Sequence, residues 1–222
     1  MAVDLSRRGA RAPRATPGGL DLADVAPMLL GERRAPFEAP GWTAELKFDG
    51  YRLLAGVRAG AVQLKTRNGA DATRWYPELQ VLAALPGNPI LDGEVAVLDE
   101  LGRSDFNRTH ARSLRRGRPP GADAVVFCAF DLLAYRGRDL RARPLASRKA
   151  QLAQLLATPL PSVLYVQDVP GGVAWLYAQA VALELEGIVA KRLDSPYRSG
   201  QRSDDWLKIK RPGATPARRF QR

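Results

Sequence analysis

The sequence predicts an α+β fold of largely antiparallel sheets with inserted helices. Short runs rich in β-branched and aromatic residues recur along the chain and are separated by turn signals, the pattern of strands that pair with their neighbours. Helical periodicity is confined to three segments that interrupt these runs, so helices are insertions and do not alternate regularly with strands. No internal repeat and no second linker-like stretch divides the chain, which leaves one compact domain between two tails.

Residues 1–26 mix Arg7, Arg8, Arg11 and Arg14 with Pro13, Pro17, Gly18 and Gly19, a composition expected of a basic flexible tail, and order is expected to begin near Pro27. Residues 42–48, 51–57 and 61–67 read as strands, the last two joined in a hairpin through Arg58 to Gly60. Trp75, Leu79, Leu82 and Leu85 predict a helix over 74–85. Strands are expected at 89–99 and 122–135, with a polar, Arg-rich loop around residues 108–118 between them. Leu145, Leu152, Leu155 and Leu156 predict a helix over 145–157, residues 162–169 a strand, and Val173, Leu176, Ala180 and Leu183 a helix over 172–185. Strands return at 187–193 and 205–210, so the domain is expected to span 27–211 and residues 212–222 to form a basic C-terminal tail. Trp42, Trp75 and Trp175 read as core or staple residues.

With 45% hydrophobic and 26% charged residues the composition is that of a globular protein, which excludes disorder of the whole chain. Lys and Arg number 34 against 23 Asp and Glu, and the formal net charge of +11 favours a polyanionic partner, nucleic acid or a nucleotide phosphate. Cys128 is the only cysteine and His110 the only histidine, which excludes an intrachain disulfide and a Cys/His zinc site. No apolar run reaches the roughly 18 residues of a membrane span. A cytoplasmic chain with no membrane partner is expected.

The residues 44–52 carry the sharpest chemistry. On a strand, Glu45, Lys47 and Asp49 share one face, so a lysine sits between carboxylates and a glycine follows. A nucleophilic lysine must lose its proton near neutral pH, which adjacent acids oppose, so further positive charge should converge from elsewhere. Residues 205–210 offer it: Trp206, Lys208 and Lys210 point one way, Leu207 and Ile209 the other. Asp92 and Glu94 share a face across Gly93, and Glu186 precedes Gly187 with Lys191 downstream. Carboxylates in that style suit a phosphate-bound Mg2+, which takes one or two of them plus substrate oxygens. Cys128 reads as a small buried hydrophobe, and the arginines around His110 as a phosphate-contacting or solvated loop.

Six motifs occur in order: Lys47-Phe-Asp-Gly, Thr66-Arg67-Asn68-Gly69, Asp92-Gly93-Glu94, Phe130-Asp131-Leu132, Glu186-Gly187-Ile188-Val189-Ala190-Lys191 and Trp206-Leu-Lys208-Ile-Lys210. Over residues 27–211 the set resembles the nucleotidyltransferase (adenylation) domain of ATP-dependent DNA ligases, most closely those of the bacterial end-joining type. The resemblance implies that Lys47 attacks the α-phosphate of ATP to form a lysyl-AMP intermediate, which passes AMP to a DNA 5′-phosphate before a 3′-hydroxyl displaces it. It further implies that Glu45 accepts from the adenine amino group, that Phe130 stacks on the base, and that Arg52, Arg67, Glu94 and Lys191 hold the nucleotide. Glu186 and Glu94 would face Mg2+ or Mn2+, and Lys208 and Lys210 would assist catalysis at the α-phosphate.

Only residues 211–222 follow Lys210, whereas the family's ligases continue into an OB-type barrel of roughly 50 residues or more. The expectation is therefore a domain without an OB unit, poor at sealing alone, whose partners are nicked or broken duplex DNA and a separate OB-domain or end-joining subunit. RNA ligase or capping-type nucleotidyl transfer shares the lysine chemistry and is the alternative, as is a non-catalytic nucleic-acid-binding module derived from a ligase.

Overall fold

The computed structural model describes residues 19–214. In chain order the elements are β1 (Leu29–Glu32), β2 (Trp42–Leu46), β3 (Tyr51–Arg58), β4 (Ala61–Thr66), β5 (Ile90–Leu98), β6 (Ser104–Asp105) and α1 (Phe106–Leu114). There follow β7 (Val126–Tyr135), β8 (Arg138–Asp139), α2 (Leu145–Leu155), β9 (Val163–Tyr165), β10 (Asp168–Pro170), α3 (Val173–Ala182), β11 (Gly187–Arg192) and β12 (Arg202–Lys210).

The strands form two sheets. The larger runs β4-β3-β5-β7-β8, with β6 on β5 and β9 on β7; the smaller runs β1-β12-β11-β2-β10. Every pairing is antiparallel except β1 with β12 and β7 with β9. Alternation along the strands builds the layers. Leu53, Ala55 and Val57 of β3 join Leu79, Leu82 and Phe127 in a core behind the larger sheet. Leu54 turns the other way, meeting Leu133, Met28, Tyr197 and Trp206 between the two sheets. Ala44, Ile188, Ala190, Leu207 and Ile209 bury against Val173, Leu176 and Ala180 of α3 behind the smaller sheet.

Several expectations change. The residues before Pro27 that the structure describes are packed: Leu22 and Val25 are buried and residues 22–24 form a 3-10 turn capped by Asp21, because the two apolar side chains cover the edge of the inter-sheet core. The rest of the N-terminal tail and residues 215–222 lie outside the described residues. The expected helix at 74–85 is a 3-10 helix over Pro77–Ala84; Leu79, Leu82 and Leu85 recur every third residue, the period of that helix. The strand expected at 162–169 splits into β9 and β10, which lie in different sheets, with Val166 buried between them. The Arg-rich loop is in part α1, N-capped by the Asp105 carboxylate. Trp175 and Leu183 are exposed, each at 58%, since α3 presents only Val173, Leu176 and Ala180 to its sheet. Among the described residues no OB-type barrel is present, and no helix is long and apolar enough to cross a membrane.

Candidate active site

β2, β11 and β12 lie side by side, and their pairing brings the separated motifs together. The Lys47 N–H donates to the Gly187 carbonyl at 3.0 Å, which carries the β2–β11 ladder one residue beyond Leu46 and sets Lys47 beside Glu186. Gly187 stands opposite Lys210 with φ +143°, and a Cβ there would collide with the Ile209 carbonyl. Glycine is thus required for the approach of the two strands. On β12, Leu207 and Ile209 face α3 while Trp206, Lys208 and Lys210 take the opposite face.

The Lys47 ammonium donates to Glu186 Oε2 at 2.6 Å, and Lys210 Nζ lies 2.8 Å from Oε1 of the same carboxylate. Burial raises the Glu186 carboxyl, but Lys47 and Lys210 outweigh it and hold the group below the usual carboxylate range. Lys208 Nζ pairs with the exposed Glu32 of β1 at 2.9 Å.

Glu45, Lys47, Arg52, Glu94, Phe130, Lys191 and Trp206 line one cavity of about 60 Å3, completed by Leu30, Leu46, Phe48 and Val189. Glu186, Lys208 and Lys210 flank it through the ion pairs above. Arg67 is exposed and not among the lining residues; its N–H donates to the Arg52 carbonyl at 3.2 Å. A groove of about 1080 Å3 between β8 and α2 is larger, yet it holds none of these residues.

The wall of the cavity is held by charge. Arg52 makes a bidentate pair with Asp92, at 2.7 and 2.6 Å, and the Tyr197 hydroxyl donates to Asp92 Oδ2 at 2.5 Å. Burial works against the Arg52 charge, and Asp92 overcomes it, so the guanidinium is held more firmly protonated than usual. Arg52 and Lys191 stand over the Phe130 ring at 4.9 and 4.5 Å. Glu94 accepts from the Gly50 N–H at 3.1 Å, tying β5 to the loop after Lys47. Cys128 is buried, its thiol pushed up to about 12 by burial and by Glu94.

Two residues behind the cavity lining, Lys149 and Tyr197, carry no role in the sequence reading. Glu45, 2% exposed, accepts from two ammonium groups: Lys191 at 2.5 Å and Lys149 of α2 at 2.7 Å. Burial pushes Lys191 below the usual lysine range, with Glu45 opposing and Lys149 reinforcing. For Lys149 burial is outweighed by Glu45, and its pKa is raised. Tyr197 and Asp92 orient Arg52, so Asp92, expected among the metal-suited carboxylates, is instead the ion-pair partner of that arginine. Trp206 lines the cavity, and its buried Nε1 has no hydrogen-bond partner among the described residues. An orphaned donor at a concave site is an observation that a polar ligand would explain.

Two curled antiparallel sheets enclosing a lysine- and carboxylate-lined cleft define the class, a nucleotidyltransferase domain. The family described as ATP dependent DNA ligase domain matches residues 29–210, and the chain belongs to that family. The SPbeta prophage-derived DNA ligase-like protein LigB of Bacillus subtilis (strain 168) is 35% identical over 185 residues, 83% of this chain and 67% of its own length. The multifunctional non-homologous end joining protein LigD of Pseudomonas aeruginosa is 41% identical over 175 residues, 76% of this chain. This chain spans only 20% of that relative. A mycobacterial DNA ligase D complexed with ATP and MES has the same fold, with a TM-score of 0.76 and 34% identity, covering 86% of this chain and 62% of that one.

Proposed function

We propose that this domain carries out the adenylation step of DNA strand joining, with Lys47 as the nucleophile. After Lys47 Nζ has lost one proton to solvent, its lone pair attacks the α-phosphorus of ATP, a P–N bond forms, the bond to the bridging oxygen breaks, pyrophosphate leaves, and Nζ releases a second proton to solvent, keeping one as the phosphoramidate N–H. The lysyl-AMP then passes AMP to a DNA 5′-phosphate, and a 3′-hydroxyl displaces AMP in the sealing of a break. The observation that carries this reading is the setting of Lys47: it lines one cavity with the Phe130 ring and the buried Glu45, and the Glu186 it pairs with also binds Lys210 of β12.

In the free domain Lys47 is paired with Glu186, so the pair must open before Nζ can reach the α-phosphorus. A bound triphosphate competes for Lys210 and Lys208, and both can neutralise charge developing on the α-phosphate. Glu45 and Phe130 suit the amino edge and the face of adenine. Arg67 would reach the nucleotide by rotating in from the rim.

Among the described residues no three His, Cys, Asp or Glu side chains converge into a site of their own. Glu186 and Glu94 therefore fit a Mg2+ or Mn2+ ion only together with phosphate oxygens, the usual manner of Mg2+. Those two residues would hold it, and when bound it would offset triphosphate charge. An OB-type domain, in the same chain or another, is the expected partner for closing over the nucleotide.

Incubation with α-labelled ATP and Mg2+, followed by a denaturing gel, tests the reading. A covalently labelled band is expected, much weaker with GTP. No label would overturn the proposal, and equal labelling by GTP would move it to the capping-type alternative. A second expected result concerns Lys149. Lys149→Met removes one of two ammonium groups fixing Glu45, so the ATP concentration for half-maximal labelling should rise roughly tenfold, the value of about one charged hydrogen bond, with the saturated rate nearly unchanged.

A further inference from the structure

Resting on the strand-joining reading, we propose that α1 and the turn after it form a rail for the phosphate backbone of the duplex that carries the reacting end. Residues 103–118 contain six arginines and one aspartate. Three arginines are engaged within the domain: Arg103 with Asp99, Arg108 with Asp123, and the buried Arg112 with Glu78 and the Trp75 and Asp123 carbonyls. Arg115, Arg116 and Arg118 are exposed, and none has an acidic partner within ion-pair distance among the described residues.

These three side chains are presented from a fixed support. Arg116, at φ +45°, turns the chain at the end of α1 and lays its guanidinium over Trp75 at 5.1 Å. The Tyr76 hydroxyl and Ser113 Oγ meet at 2.7 Å beneath the helix. At its other end α1 is tied to the loop that follows the nucleophile. The Asp49 N–H donates to Ser104 Oγ at 2.8 Å, Tyr51 OH and His110 Nδ1 are 2.7 Å apart, and the His110 ring stacks with those of Tyr51 and Phe106. Asp49 is two residues from Lys47, so α1 starts at the rim of the cleft.

A nine-residue helix is about 13 Å long, close to four steps of a DNA strand at about 3.4 Å each. A phosphate backbone lying along α1 would therefore have about four phosphates beside the helix, with Arg115, Arg116 and Arg118 at its far end. The contact is charge to phosphate and carries no sequence preference. Among the described residues, the arginines around the groove between β8 and α2 show no such tie to the Lys47 loop.

The test measures binding of a nicked DNA duplex between about 50 and 200 mM salt for the wild-type chain, for Arg115→Ala/Arg116→Ala/Arg118→Ala, and for the corresponding triple lysine variant. Each lost phosphate contact removes about 0.9 from the log-log salt slope, so the alanine variant should lose about 2 to 3 in slope while the lysine variant keeps it. Labelling by ATP should match wild type in both variants. A wild-type slope in the alanine variant overturns the rail and leaves the adenylation reading standing. Absence of duplex binding by the wild-type chain overturns the rail together with strand joining, and loss of ATP labelling by the wild type overturns the reading beneath it.

Discussion

Lys47→Arg abolishes the covalent nucleotide adduct and leaves the fold in place. Arginine keeps the positive charge and can keep the ion pair with Glu186, so the local electrostatics survive. It cannot give up its proton in a protein, so no lone pair becomes available for attack on phosphorus. The expected result is no labelled band after prolonged incubation, with a melting temperature within a degree or two of wild type. Lys47→Ala should be equally silent. A band of wild-type strength in the arginine variant would transfer the nucleophile to another lysine, such as Lys210, which shares Glu186 with Lys47, or Lys191 of the same cavity, and peptide mapping of the adduct would identify it.

Arg148→Met lowers the stability of the domain by about 3–5 kcal/mol, the usual consequence of stranding one member of a buried ion pair. Arg148 and Asp131 are both fully buried and form a bidentate pair at 2.8 and 2.9 Å; Arg148 also donates to the Arg143 and Ser195 carbonyls. Removal of the cation leaves the Asp131 carboxylate with the Leu132 N–H as its remaining partner, and on a domain of this size the melting temperature should fall on the order of 10 °C. The double variant Asp131→Leu/Arg148→Met should recover much of the loss, since a well-packed apolar pair replaces a desolvated one. Equal melting temperatures for the single and double variants would show that the loss comes from the carbonyl contacts of Arg148 and not from the stranded acid.

That pair also shows how much of the site could be read in the sequence. The strands that carry Lys47, Glu94, Phe130, Glu186 and Lys210 announce themselves because acids and lysines beside glycine make poor packing residues, and such departures from the alternation stand out. Most of the expected site residues do line one cavity or flank it, and the α+β class with largely antiparallel sheets is the observed one. Arg148 and Lys149 do not stand out in the sequence because their partners come from other elements, Asp131 for Arg148 and Glu45, 104 residues away, for Lys149, while the helix is announced by its leucines. A signal did exist. Leu145, Arg148, Lys149 and Leu152 fall at the i, i+3, i+4, i+7 spacing of one helix face, so two cations sit within an apolar stripe. The division of residues 162–169 between two sheets had no local signal, since the same alternation serves either sheet and the choice is made by which edge is open.

The separation of β9 and β10 has a mechanical consequence. Val166 and Gln167 are the only residues between a strand of the larger sheet and a strand of the smaller one, and the buried Val166 donates its N–H to Ala129 while its carbonyl accepts from Lys149. Two residues cannot act as the slack of a hinge when one of them is clamped on both sides. The two sheets therefore cannot swing apart like jaws to admit a nucleotide. The narrow slot must widen from within, by the swing of long side chains such as Lys191, whose ammonium stands over the faces of Phe130 and Trp206. On the proposed function, admission of a base would then be a matter of rotamers, on the timescale of side-chain motion, with the backbone walls acting as a rigid gauge of what enters.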